Sequence, residues 1–154
     1  MSAGQKRILV LSDSHGYPLN TLLMKAESLG KIDAVFHLGD GYRDMDGYLT
    51  EFPAVFRVRG NCDWCGGDLE LLTPLFGRRF LLTHGHRYHV KSTMSLLTAR
   101  AYEAECDCAL FGHTHEPYNE YNAGRLYLNP GAACEGRFSI LRVEKNGDLY
   151  AEMY

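Results

Sequence analysis

The sequence predicts an α/β layered sandwich formed as one domain over residues 1–154. Three observations carry this. The first half alternates β-rich runs with helix-patterned segments, the order of a parallel sheet with helices on its faces. The second half is mostly short β runs separated by turn residues, which suggests an antiparallel sheet. No internal repeat, low-complexity tract or linker interrupts the chain, and its 154 residues match the roughly 100–200 of one domain.

The elements follow in order. Residues 7–11 (RILVL) form the first strand, which stops at Ser12-Asp13. Pro18 suits the first turn of a helix, and residues 19–29 carry helical apolar spacing up to Gly30. Residues 34–38 (AVFHL) are a second strand ending in Gly39-Asp40-Gly41, residues 45–51 a short helix, and residues 55–58 (VFRV) a third strand ending in Gly60-Asn61. Residues 69–75 and 79–83 read as a hairpin about a turn at Phe76-Gly77. Residues 92–105 are helical, and residues 109–111 are a strand entering Gly112-His113. Short β runs follow at 118–121, 126–128, 138–143 and 149–154, with turns at Asn122-Ala123-Gly124 and Asn146-Gly147.

Composition narrows the function classes. The chain is 45% apolar and 23% charged, enough to bury a core. Sixteen Lys and Arg stand against 19 Asp and Glu, for a net charge of -3. That balance opposes bulk nucleic-acid binding and gives no reason to expect an anionic membrane surface as partner. The apolar run at residues 8–11 is too short for an export signal, and no stretch approaches the ~18 apolar residues of a membrane span, so a cytoplasmic protein is expected. Five cysteines, an odd number without an export signal, suggest reduced thiols. Cys62-x-x-Cys65 precedes Gly66-Gly67-Asp68, a loop and not the helix that redox chemistry needs, and Cys106-x-Cys108 has the wrong spacing for a zinc knuckle.

The seven histidines are not scattered. Five predicted strands end in metal-liking residues: Asp13-Ser14-His15, Gly39-Asp40, Gly60-Asn61, His84-Gly85-His86 and Gly112-His113-Thr114-His115. Taken singly, Asp-x-His or Gly-Asn is an ordinary turn. The conjunction is what matters, because open α/β sheets place ligands beyond the carboxyl ends of their strands. Extended residues at i and i+2 point the same way, so Asp13 and His15 can address one ion and His113 and His115 neighbouring ones. The donors Asp13, His15, Asp40, Asn61, His84, His113 and His115 are too many for one transition metal and fit two if a carboxylate bridges. Imidazole and carboxylate together suit Mn, Fe, Zn, Ni or Co and argue against calcium.

This ordered set resembles the calcineurin-like metallophosphoesterases. The short length, Gly60-Asn61-Cys62-Asp63 and Asn129-Pro130-Gly131 are similar to that family's small YfcE-like phosphodiesterase branch. The resemblance implies a four-layer αββα sandwich with mixed sheets and a dinuclear centre at one sheet edge. Asp13, His15, Asp40 and His115 would hold one divalent ion, and Asp40, Asn61, His84 and His113 the other, with Asp40 bridging and manganese the first expectation. A metal-bridging hydroxide would attack the phosphorus of a small phosphodiester or nucleotide-like substrate.

One position departs from the pattern. Many larger members carry His directly after the metal-binding Asn, in contact with substrate or leaving group; here it is Cys62, a weaker hydrogen-bond donor. Asn61, Cys62 and His86 are therefore the candidate substrate contacts and His86 the remaining candidate acid, which implies a preference for good leaving groups such as aryl esters. His37, inside the second strand, is expected to pack or to support the site, and His89 to be solvated. Trp64, Tyr42 and Tyr88 are candidates to line a substrate pocket. The competing reading is a non-catalytic metal-binding or protein-interaction scaffold on the same fold, as in the retromer subunit that resembles this family; it predicts eroded ligands, whereas all seven positions hold usable donors. A serine or cysteine hydrolase lacks its Gly-x-Ser-x-Gly elbow. Homo-oligomerisation is left open.

Overall fold

Alternation along the strands decides the architecture. In the computed structural model, which describes residues 4–154, β1 (Lys6–Leu11) sends Ile8 and Val10 to one side and Leu9 and Leu11 to the other, all fully buried. A strand apolar on both faces must be covered on both. Ile8 and Val10 join Phe36, Leu38, Phe80, Leu82 and Leu141 in a core between two sheets. Leu9 and Leu11 meet Leu22, Leu23 and Ala26 of helix α1 (Asn20–Ser28) on the outer face. On the far side, Leu81, Ala109 and Phe111 pack against Leu97 and Ala101 of helix α2 (Ser95–Ala104). The result is helix, sheet, sheet, helix: four layers with three apolar seams.

The first sheet has the strand order β10-β9-β1-β2-β3. Strands β1, β2 (Ala34–His37) and β3 (Val55–Arg57) are parallel, and β9 (Ser139–Val143) and β10 (Leu149–Met153) extend them in antiparallel sense. The second has the order β4-β5-β6-β8-β7. There the hairpin β4 (Glu70–Leu75) and β5 (Arg78–Thr83) continues through β6 (Cys108–Leu110) and β8 (Arg125–Asn129), both parallel to β5, to the edge strand β7 (Tyr118–Asn122).

This corrects the expectation of an antiparallel sheet in the second half. β5, α2 and β6 form a strand–helix–strand crossover, which makes its two strands parallel. The last two β runs leave for the first sheet, where β9 sets Leu141 opposite Ile8. The expected helix at 45–51 is a 3-10 segment, Tyr42–Tyr48, anchored by buried Met45 and containing Gly47, a poor α-helix former. Helix α2 begins three residues later than expected, where the Thr93 hydroxyl accepts the Ser95 N–H at 3.1 Å. All five cysteines are free. Among the described residues no helix is long and apolar enough to cross a membrane; part of the N-terminal stretch weighed as an export signal, residues 1–3, lies outside the described range.

Candidate metal centre

The parallel strands of both sheets end at the same edge of the sandwich. β1 delivers Asp13 and His15, β2 Asp40, β5 His84 and β6 His113 and His115. Five of these six residues hold left-handed backbone angles: φ is 56° at Asp13, 47° at His15, 55° at Asp40, 72° at His113 and 64° at His115. Each costs about 1–2 kcal/mol in a non-glycine residue. Asp and His adopt that conformation more readily than most residues, but five at one edge persist because the surrounding turns hold them there.

Both carboxylates are anchored by one oxygen and offer the other. Asp13 Oδ2 accepts the Ser12 hydroxyl at 2.6 Å and the His113 N–H at 3.1 Å. Its Oδ1 lies 3.2 Å from His115 Nε2, 3.6 Å from His15 Nε2 and 3.8 Å from His84 Nε2. Asp40 Oδ1 accepts the Cys62 N–H at 2.8 Å, while Oδ2 lies 3.2 Å from His84 Nε2 and 3.8 Å from His15 Nε2. His84 Nδ1 sits 2.8 Å from the Leu38 carbonyl, which turns Nε2 toward the two acids. Close backbone approach makes this packing possible: a Cβ on Gly112 would sit 2.0 Å from Ser12 Oγ, and one on Gly60 2.2 Å from Asp40 Oδ1.

Ligand atoms of Asp13, His15 and His115 lie within 4.8 Å of one another, as do those of Asp40, His84 and His113, and those of His15, Asp40 and Cys62. Buried Asp13 Oδ1 and His84 Nε2 find no hydrogen-bond partner among the described residues. Orphaned atoms of that kind are costly unless something else satisfies them, and an imidazole–carboxylate set of this composition suits divalent transition metals. Electrostatics points the same way. Burial raises the Asp40 carboxyl, but the neighbouring His84 imidazole outweighs it and holds the group well below the usual carboxylate range. Burial opposes charge on His84, yet Asp40 and Asp13 push its imidazole upward. The acids thus draw positive charge to this pocket, and a bound cation would take the place of the His84 proton. For His113 the balance reverses: burial, with positive charge on His84 and Lys91, pulls it down to about 4, leaving a free nitrogen lone pair at neutral pH.

The remaining expected residues lie around this cluster. Asn61 is exposed on the turn after β3, its amide donating to Cys62 Sγ at 3.5 Å. Burial and the Asp40 charge raise the Cys62 thiol. His86, in a short 3-10 turn, has its ring 5.5 Å from that of His84 and 6.1 Å from that of His113, and burial lowers its pKa. His37 is buried and braces the site, with Nδ1 accepting the Gly39 N–H at 3.2 Å and Nε2 2.9 Å from Ser14 Oγ. His89 is exposed. Of the three aromatics, Trp64 lines an open cleft of about 390 Å³ with His15, Asp40, Arg43 and Cys62. Tyr42 instead packs under the Arg57 guanidinium, 4.0 Å from its ring centre, and Tyr88 hydrogen-bonds Glu70. Sequence reasoning gave no role to Ser12, Asp44 or Asp63. Asp44 accepts the Ser14 hydroxyl at 2.6 Å and the Gly16 N–H at 2.8 Å, fixing the turn that carries Asp13 and His15.

Two sandwiched sheets with parallel strands that deliver carboxylates and imidazoles to one edge define a metallophosphoesterase. The chain belongs to the calcineurin-like phosphoesterase superfamily, whose domain profile matches residues 7–143. It is 37% identical over 128 residues to the probable metallophosphoesterase YsnB of Bacillus subtilis, covering 81% of this chain and 73% of that protein. Among solved structures it is similar to a predicted phosphoesterase of Streptococcus pneumoniae, with TM-score 0.77, 28% identity and coverage of 100% and 98% of the two chains. It also shares the fold of zinc-complexed Vps29 from Entamoeba histolytica, with TM-score 0.75, 21% identity and coverage of 96% and 98%.

Proposed function

We propose that this metal-dependent phosphoesterase is a dinuclear enzyme that hydrolyses small phosphodiesters. The observation that carries the reading is the pair of free carboxylate oxygens, Asp13 Oδ1 and Asp40 Oδ2, each facing two or more imidazole Nε2 atoms at 3.2–3.8 Å. Asp13, His15, Asp40 and His115 would hold one divalent ion; Asp40, Asn61, His84 and His113 would hold the other. When bound, such ions activate water for attack and neutralise charge developing on the phosphoryl oxygens. The chain's own contribution is rigid placement. Ser12, the His113 N–H and the Cys62 N–H fix the carboxylates, and the Leu38 carbonyl fixes the His84 ring.

Departure of the leaving group limits the substrate range. His86 is held toward its neutral form and the Cys62 thiol toward its protonated form. Neither is a strong acid at neutral pH, so esters with good leaving groups are preferred.

Purified protein with Mn²⁺ is expected to hydrolyse bis(p-nitrophenyl) phosphate, to stop in chelator and to recover when metal is returned. Asp40→Asn is expected to lower kcat about 10²–10³-fold. Activity indifferent to chelator overturns the reading. So does the absence of hydrolysis with Mn²⁺, Fe²⁺, Co²⁺, Ni²⁺ and Zn²⁺ in turn, which would favour a non-catalytic scaffold.

A further inference from the structure

Trp64 is the chain's single tryptophan, and it is 97% exposed. What sets it apart from the other exposed apolar side chains is its place beside the cleft that holds His15 and Asp40. Its exposure does not come from a loose loop. On one side Asp63 receives the backbone N–H groups of Asp40, Gly41, Tyr42 and Gly60 at 2.8–3.2 Å. On the other, Gly66 and Gly67 come close against the Tyr42 ring, where an added Cβ would come within 2.6 and 2.5 Å of ring atoms. Tyr42 is in turn held by Arg57, stacked on its ring and donating to its carbonyl at 2.7 Å. The indole therefore stands at the tip of a loop pinned at both ends.

Its position matters as much as its exposure. Trp64 forms one wall of the cleft that opens onto His15 and Asp40. It also borders an adjoining hollow of about 480 Å³ with Asn61, Cys62 and Asp63. Arg43, on the cleft wall, is 73% exposed and among the described residues holds only a surface pair with Asp46 at 3.4 Å, so its charge is available to an anionic ligand. A ligand held by its phosphate at the metal centre would thus have an aromatic face beside it.

We propose that Trp64 is a stacking platform for a planar ring carried by the substrate, and that the site selects phosphodiesters whose retained ester group is aromatic, of the nucleoside type. This rests on the phosphodiesterase reading for the phosphate end; the stacking contact itself can be observed without turnover. A flat π-face accepts any nucleobase or aryl ring, and one such stack is worth roughly 1–3 kcal/mol by alanine substitution.

Two measurements test it. The first compares bis(p-nitrophenyl) phosphate with methyl p-nitrophenyl phosphate, which share a leaving group and differ only in the retained ester. Trp64→Ala is expected to cut the ratio of their kcat/KM values about tenfold, mainly through KM, and Trp64→Phe to keep most of it. The second excites the sole tryptophan of the zinc-loaded wild type. Adenosine 5′-methyl phosphate is expected to quench it saturably, and dimethyl phosphate to leave it unchanged. A ratio unmoved in Trp64→Ala, or equal response to both esters, overturns the proposal. Fluorescence that acrylamide cannot quench also overturns it, since a second copy or another part of the chain would then cover the indole. If neither ester is hydrolysed but the adenosine ester alone quenches, stacking stands and the phosphodiesterase reading falls.

Discussion

At the scale of single residues, Asp63 shows how a side chain that holds only backbone N–H groups can matter as much as a ligand. Its Oδ2 accepts the N–H groups of Asp40 and Gly60 at 2.9 and 2.8 Å, and its Oδ1 those of Gly41 and Tyr42 at 3.0 and 3.2 Å. Asp40 has a left-handed backbone, and this clamp holds its turn in place. An asparagine in place of Asp63 could accept at one atom only, and its amide would face N–H donors. Asp63→Asn is expected to destabilise the fold by about 2 kcal/mol and to weaken Zn²⁺ binding by about 10-fold or more. Urea unfolding and calorimetric titration with Zn²⁺ check this; unchanged metal affinity would show that the turn holds itself. The carboxylates and imidazoles that the fold gathers at this edge were readable in the sequence because their chemistry is written in residue type and strand-end spacing. Ser12, Asp44 and Asp63 were not, since their partners are groups whose positions depend on turns elsewhere in the chain.

At the scale of elements, hydrophobic pattern located the strands but not their neighbours. Residues 138–143 are apolar on both faces, with Leu141 in the seam between the sheets and Ile140 in the outer one, as an interior strand requires. That pattern fits an interior position, yet pairing with β1, as in Lys6 with Val143 or Val10 with Ser139, joins distant parts of the chain and leaves no local trace. The exposed run of β7 marks an edge equally well. The strand–helix–strand order around α2 is present in the sequence, but the many short β runs beside it suggest antiparallel pairing instead. Helix α2 also allows a sharp test of facing. Leu97 is fully buried against Leu81, Ala109 and Phe111, whereas Leu96 is 46% exposed. Leu97→Ala is expected to cost about 2–5 kcal/mol and Leu96→Ala less than about 0.5 kcal/mol. Chemical denaturation of the two variants side by side decides it, and equal losses would mean that α2 is seated in another register.

At the scale of the whole molecule, gathering the polar groups at one edge makes stability depend on pH through buried histidine. His37 lies at the end of β2, inside the edge that both sheets share, and burial pulls its pKa down to about 4 despite the opposing charges of Asp44, Asp63 and Asp13. In the unfolded chain it titrates near its ordinary value of about 6.5. Above that value both states are neutral and His37 contributes nothing to the pH dependence. Between about 6.5 and 4 the unfolded chain binds a proton that the folded chain refuses, so stability falls as pH drops through this window. The loss is complete below about pH 4 and amounts to about 3 kcal/mol. His84, whose pKa is raised, works in the opposite sense, and His113, pulled down to about 4, in the same sense. The effect of His37 is therefore read as a difference between two proteins that share those groups. His37→Gln keeps an acceptor for the Gly39 N–H and a donor toward Ser14 but cannot titrate. Unfolding free energies of the metal-free protein from pH 7.5 to 4.0 are expected to fall more steeply in the wild type, by about 3 kcal/mol across the range. Parallel curves would show that His37 takes up its proton at the same pH in the folded protein as in the unfolded chain, and so is not held neutral by burial.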